Sequence, residues 1–117
     1  MKKAVLYLRV NSTQRELEKQ LEQLWAFAES EEYRITNVYA EIASGLAHIC
    51  GRTIWNMLED AEHKQFDTVI IRDITRISRE PTEAFIIIEA LKDMNIKLIS
   101  QRENGVIKCK KQQYTCV

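Results

Sequence analysis

Tyr7-Leu8-Arg9-Val10-Asn11-Ser12-Thr13 sets an arginine where an apolar strand stops and follows it with a hydroxyl-rich turn. Ala4 to Leu8 is a short apolar run, and Gln14 to Ser30 carries Leu17, Leu21, Leu24, Trp25 and Ala28 at helical spacing. A strand that feeds a helix through a polar turn makes a phosphate-binding geometry, because helix N-terminal amides and a nearby guanidinium both favour an anion. Capping alone also accounts for these residues. Asn11, Ser12 and Thr13 are all good N-cap residues, and Thr13 with Glu16 has capping-box spacing. On this segment by itself, capping outweighs chemistry.

Working outward, strand and helix patterns alternate. Tyr33 to Ala40 reads as a partly exposed strand, and Ala43 to Gly51 reads as a loop holding two of the three glycines. Ile54, Met57, Leu58 and Ala61 follow at i, i+3, i+4, i+7, which predicts an amphipathic helix ending near Phe66. Val69 to Ile71 has the unbroken apolar character of a strand buried on both faces. Pro81 suits the first turn of a helix, where its missing N–H costs nothing, and Ala84, Ile87, Ile88, Leu91 and Met94 continue that helix. Ile96 to Ser100 is the next strand, and Val106 to Cys109 a possible fifth. This order predicts a three-layer α/β/α domain with a mainly parallel sheet of four to five strands.

Composition limits what such a domain does. A chain of 117 residues that is 45% hydrophobic suits one core, so a single domain over 1–117 is expected. Seventeen basic and 17 acidic residues cancel, which removes any global field for nucleic acid or anionic membrane and makes a polyanion site local. No apolar run approaches a bilayer's thickness, so a soluble cytoplasmic protein without membrane contact is expected. Cys50, Cys109 and Cys116 are odd in number and form no C-x-x-C pair, and only His48 and His63 accompany them. They read as reduced thiols, with neither a metal site nor a cofactor expected.

In parallel sheets, ligands bind at the edge formed by the strands' carboxyl ends. The polar residues at that edge are Arg9, Glu41 and Arg72. Arg76 and Arg79 continue from Arg72 at i, i+4, i+7, a spacing that predicts one helical face. Like charges repel unless an anion offsets them, and a phosphate would do so. The plainer alternative is a solvated face paired with Asp73 and Glu80.

Taken together, these residues resemble the catalytic domain of serine site-specific recombinases, the resolvase and invertase family. The family opening Y-x-R-V-S-T followed by L-x-x-Q is similar to Tyr7-Leu8-Arg9-Val10-Asn11-Ser12 with Leu17 and Gln20. An acidic residue, a small S-G turn and a helix-opening arginine match Glu41, Ser44, Gly45 and Arg52. The family's L-D-R-L-S-R is similar to Ile74-Thr75-Arg76-Ile77-Ser78-Arg79. The three blocks run in the right order from about Lys3 to Gln101. The resemblance implies a resolvase-like fold, DNA as partner, a dimer or tetramer in the parent protein, and phosphoryl transfer without a metal. A serine attacks a phosphodiester to leave a 5′-phosphoserine and a free 3′-hydroxyl, and arginines stabilise the transition state. Carried over by position, the catalytic set is Ser12, Arg9, Arg52, Arg76 and Arg79. Tyr7, Asn11, Gln14, Gln20, Glu41, Ser44, Arg72 and Thr75 bind phosphate or support the site.

The departures from the family pattern bear on activity. In ungapped register Asn11 stands at the nucleophilic serine, Thr75 at the aspartate of D-R-L-S-R, and Glu41 at the usual aspartate. An amide cannot serve as this nucleophile. Either the turn slips by one residue and Ser12 attacks, or the chain is an impaired module that pairs with an active recombinase or with DNA backbone. A flavodoxin-like site for a small phosphorylated molecule is a third reading, but the first turn lacks the glycines expected of it. Sixteen residues, 102 to 117, follow Gln101 without the pattern of a DNA-reading helix, so no sequence readout is expected from this chain.

Overall fold

The computed structural model describes residues 2–43, 53–102 and 105–106. Strand β1 (Lys2–Val10) leads into helix α1 (Gln14–Ser30), followed by β2 (Tyr33–Ile42), α2 (Thr53–Glu62) and β3 (Thr68–Ile71). A 3-10 turn (Ile74–Arg76) precedes α3 (Pro81–Asp93), β4 (Lys97–Ser100) and β5 (Gly105–Val106). The sheet order is β2-β1-β3-β4-β5, parallel except for the antiparallel β4/β5 pair.

Alternation along β1 divides the interior into two cores. Ala4, Leu6, Leu8 and Val10 pack with Leu17, Leu24 and Ala28 of α1. Val5 and Tyr7 point the other way and pack with Ile54 and Met57 of α2 and Ala84, Ile87 and Leu91 of α3. The expected three layers are present, with β1 an interior strand between β2 and β3. From β1 the chain moves outward to β2 and then crosses back to β3, so the strand order reverses between β1 and β3. That reversal is where a parallel sheet opens a crevice at its carboxyl edge.

Local signals explain most boundaries. Thr13 caps α1 through its hydroxyl, which accepts from the Glu16 amide at 3.1 Å. Pro81 occupies the first turn of α3, while the Glu80 carboxylate accepts from the Thr82 and Glu83 amides. Helix α2 stops at Glu62, short of Phe66, because Lys64 turns left-handed (φ 55°) and Phe66 leaves the helix to pack against Tyr39. Strand β5 begins one residue before the expected Val106, and residues 107–109 of that expectation lie outside the described part.

The expected helical face of Arg72, Arg76 and Arg79 does not form. Asp73 caps a single 3-10 turn, and wholly buried Ile77 anchors its end. Pro81 then holds Glu80 extended (φ −88°, ψ 115°), as the residue before a proline prefers. A helix through 72–79 has no room to continue. Among the described residues, no helix is long and apolar enough to cross a membrane.

Tyr39 on β2 donates its phenolic hydrogen to Asp60 of α2, and burial with that carboxylate pushes its pKa up to about 12. The raised value means that protonated Tyr39 stabilises the fold below its unfolded pKa of about 10. This contribution fades as pH rises toward 12. Tyr39→Phe is expected to remove the late-titrating phenol from the ultraviolet titration and to flatten stability over that range.

Each helix exits through a left-handed residue that is not glycine: Glu32 (φ 64°), Lys64 (φ 55°) and Asn95 (φ 61°). A side chain with a Cβ costs about 1 kcal/mol in that conformation, and asparagine less. Glu32→Gly and Lys64→Gly are therefore expected to stabilise the protein by about 0.5–1 kcal/mol each in urea unfolding, with Asn95→Gly changing little.

Candidate active site

Arg9 is the penultimate residue of β1 and pairs in register with Glu41 of β2. It shares the strand face of Val5 and Tyr7, which directs its side chain beneath the 3-10 turn. Only 2% of it is exposed. Its guanidinium donates to three main-chain carbonyls, through Nε to Arg76 O at 3.0 Å, Nη1 to Ala43 O at 3.0 Å, and Nη2 to Thr75 O. Burying a cation costs several kcal/mol, and hydrogen bonds from a charged donor offset about 1.5–3 kcal/mol each. Three such bonds make the burial sustainable. They also join the ends of strands β1, β2 and β3, since Arg9 is on β1, Ala43 follows β2 and residues 75–76 follow β3.

Arg76 returns the contact, with Nη1 donating to Arg9 O at 3.2 Å. Its Nε faces Asp73 Oδ2 at 3.7 Å, an ion pair longer than a hydrogen bond. Asp73, 5% exposed, accepts from the Thr75 amide at 3.0 Å and from the Thr75 hydroxyl. The 73–76 turn is therefore fixed from inside by Asp73 and from the sheet by Arg9.

The third fixed point is Glu41. Its Oε1 accepts from the wholly buried Tyr7 hydroxyl at 2.8 Å, and its Oε2 accepts from the Thr53 amide at 3.2 Å. Thr53 opens α2, so a carboxylate from β2 satisfies an orphan amide at that helix N-terminus, where negative charge is favoured. Tyr7, Glu41 and the start of α2 form one connected unit.

Between Val10 and the N-cap Thr13 lie only Asn11 and Ser12, both exposed. The strand is held to its end, since Val10 O accepts from the Ala43 amide at 2.7 Å. Among the described residues the Ser12 hydroxyl makes no hydrogen bond, whereas the Thr13 hydroxyl is committed to its cap. Arg76 reaches the carbonyl two residues before Asn11, so a guanidinium borders the turn that carries both nucleophile candidates.

The structure thus gathers Tyr7, Arg9, Glu41, Thr75 and Arg76 at one edge, together with the turn of Asn11 and Ser12. Arg72 follows β3 at the same edge and is exposed, its carbonyl accepting from the Ser100 hydroxyl at 3.3 Å and from the Arg102 amide at 2.8 Å. Arg79 is exposed in the segment between the 3-10 turn and α3. Gln14 contacts Glu18 at 3.5 Å on exposed α1, outside the hydrogen-bonded group at the edge. Gln20 is buried, and its Oε1 has no hydrogen-bond partner among the described residues. Ser44, Arg52 and the three cysteines lie outside the described residues.

Sequence reasoning overlooked Asp73 as a site residue and weighed it only as a surface ion-pair partner. The available signal was an Asp two residues before a Thr, the spacing at which a carboxylate receives the amide of a tight turn.

The family model described as Resolvase, N terminal domain, matches residues 4–115. Among solved structures, the chain is similar to the C-terminal catalytic domain of ISC1926 TnpA, an IS607-like serine recombinase. Identity is 28% and the TM-score 0.77, over 85% of this chain and 68% of that one. The N-terminal catalytic domain of TP901-1 integrase shares 22% identity with a TM-score of 0.83, over 98% of this chain and 90% of that chain. A resolvase family site-specific recombinase from Streptococcus pneumoniae shares 20% with a TM-score of 0.78, over 99% and 83%. These last two likenesses bear on the fold alone. No curated protein sequence matches the chain.

Removing Arg9 exposes how much it holds. Arg9→Ala leaves three carbonyls without their donor, and stability in urea is expected to fall by about 3 kcal/mol or more. Arg79→Ala, at an exposed position, is expected to stay within about 0.5 kcal/mol of the parent.

Proposed function

Since the chain belongs to the resolvase N-terminal domain family, we propose that it performs serine-mediated cleavage and rejoining of DNA strands, with Ser12 as nucleophile. The Ser12 oxygen forms a bond to phosphorus while the bond to the 3′-oxygen breaks. The serine proton is given up, and the departing 3′-oxygen takes a proton to become a free hydroxyl. The retained phosphoserine ester lets a 3′-hydroxyl attack in reverse to rejoin the strands. The observation that carries this reading is the placement of Arg76, whose guanidinium rests on the carbonyl of Arg9 beside the Asn11–Ser12 turn. A cation fixed before the reaction stabilises charge that develops on phosphorus without reorganisation.

The supporting roles follow from position. Arg79 and Arg72, exposed at the same end of the chain's third crossover, bind flanking phosphates. Arg9 serves from beneath, holding the carbonyls of residues 75 and 76 so that Arg76 stays aimed. Glu41 and Tyr7 hold the start of α2 against the edge. Ser12 rather than Asn11 acts because an amide is not nucleophilic and the two-residue turn presents both side chains to solvent. The working unit is a homo-oligomer acting on DNA in the cytoplasm, and 1–117 folds as one catalytic domain.

Two measurements test this. The chain fused to a sequence-specific DNA-binding domain is expected to form a covalent adduct with a nicked substrate, read on a denaturing gel. Ser12→Ala abolishes the adduct, and Arg76→Ala lowers its rate by about 10²–10³-fold, the usual cost of one preorganised donor. An adduct that survives Ser12→Ala rejects the assignment. Absence of adduct from the parent, with recovery in Asn11→Ser, places the nucleophile position at Asn11 and makes the natural chain an inactive module.

The unfused chain has no net charge and is expected to bind duplex DNA weakly, with affinity falling steeply as salt rises. Arg79→Ala should reduce the slope of log K against log salt by about one. An unchanged slope removes Arg79 from the phosphate contacts.

A further inference from the structure

Asp73 and Thr75 bear on the acidic position of the family pattern that this sequence lacks at residue 75. Thr75 stands where resolvases carry an aspartate, a change that by itself removes a negative charge from among Arg72, Arg76 and Arg79. Yet a carboxylate is present at that place. Asp73, two residues earlier, is nearly buried, and its Oδ1 receives both the amide and the hydroxyl of Thr75. Its Oδ2 faces Arg76 Nε at 3.7 Å. The 3-10 geometry makes this possible: with three residues per turn, positions i and i+3 eclipse, so Asp73 lies directly under Arg76.

Resting on the reading of this edge as a recombinase site, we propose that Asp73, fixed through the Thr75 hydroxyl, is the acidic positioning residue that orients Arg76. It delivers from two residues upstream the carboxylate that the family pattern carries at position 75. Capping alone does not require this arrangement. An N-cap needs one acceptor oxygen, which asparagine or serine provides equally well. Here one oxygen serves the cap and Thr75, while the other is turned toward a guanidinium. Arg76 is in turn held at Arg9 O by its Nη1, while its buried Nε, without a hydrogen bond among the described residues, has the Asp73 carboxylate at ion-pair distance to bias the plane of the group. A planar, bidentate group is useful to a phosphate only when that plane is set. The buried carboxylate also balances part of the charge of Arg76 from beneath.

The test separates charge from cap. Asp73→Asn retains the capping acceptor and removes the charge, Thr75→Val removes the hydroxyl that fixes the carboxylate, and Asp73→Asn with Thr75→Asp moves the carboxylate to the family position. In the fusion protein, the first two are expected to lower the adduct rate about tenfold or more, the loss of a charge-assisted contact. Solvent exchange of the Arg76 Nε–H, followed by NMR in the unfused chain, should quicken in both. The double variant should regain the slow exchange and the adduct rate. If Asp73→Asn matches the parent in both measurements, or if the double variant recovers neither, Asp73 is a cap only and the proposal is overturned. Should the parent form no adduct, the recombinase reading fails while the Nε–H exchange still decides whether Asp73 orients Arg76.

Discussion

The buried guanidinium of Arg9 is the contact on which the carboxyl edge depends. A parallel sheet leaves the carbonyls after its strands pointing out of the edge, where loops diverge and nothing in the sheet ladder ties them together. Arg9 gathers three of these carbonyls, from the loops after β2 and β3, onto one planar group rooted in β1 between them. A lysine has the charge but not the fork, so it would hold fewer of them. Because the donor is fully charged and almost wholly enclosed, its bonds are stronger than neutral ones and poorly contested by water. The position of Arg76 is a consequence. The main chain that carries it is held by Arg9, and its own guanidinium closes the loop by returning to Arg9 O.

A second fixed point balances the first across the β1–β2 pair. Tyr7 is two residues before Arg9 on the same face, and its hydroxyl meets Glu41, whose other oxygen caps the first amide of α2. Strand β1 thus uses one face for two polar anchors, Tyr7 toward α2 and Arg9 toward the 3-10 turn, while Leu6, Leu8 and Val10 on the opposite face pack under α1 with no polar demand. The edge is held by hydrogen bonds around Arg9 and Glu41 and is open at Asn11 and Ser12, both exposed.

Much of this was legible in the sequence. Apolar periodicity, the Thr13 cap and Pro81 located α1 and α3, and the alternation of strand and helix implied both the parallel sheet and the edge to inspect. What could not be read was the fate of 72–79. Counting i, i+4, i+7 is meaningful only inside a helix, and here a cap at Asp73 and a proline at 81 leave just enough chain for one 3-10 turn and an extended exit. The burial of Arg9 was equally hidden, because arginine is ordinarily exposed and no local pattern reports that three carbonyls will converge on it. Asp73 was misjudged for the same reason: its partner is set by turn geometry rather than by spacing along an assumed helix.

Of the three departures from the family pattern, those at Asn11 and Thr75 differ in what geometry can repair. A charge acts through space, so a carboxylate moved from position 75 to position 73 remains useful if the turn brings it to the same guanidinium, and the Thr75 hydroxyl holds it there. A nucleophile acts along one line, with its oxygen opposite the leaving group, so Asn11 cannot be replaced by a hydroxyl merely nearby. On the proposed reading, the backbone itself presents Ser12. The turn is only two residues long between a strand bonded to its last residue and a helix capped by Thr13, so any shift of Ser12 into line must occur at Asn11 and Ser12 alone. The hydrogen bonds from Arg9 to the carbonyls of residues 43, 75 and 76, and from Arg76 to that of residue 9, involve no atom of that turn, so a shift there leaves them in place. The cation arrangement and the choice of nucleophile are therefore separable features of this fold, and a chain can keep the first intact while the second varies.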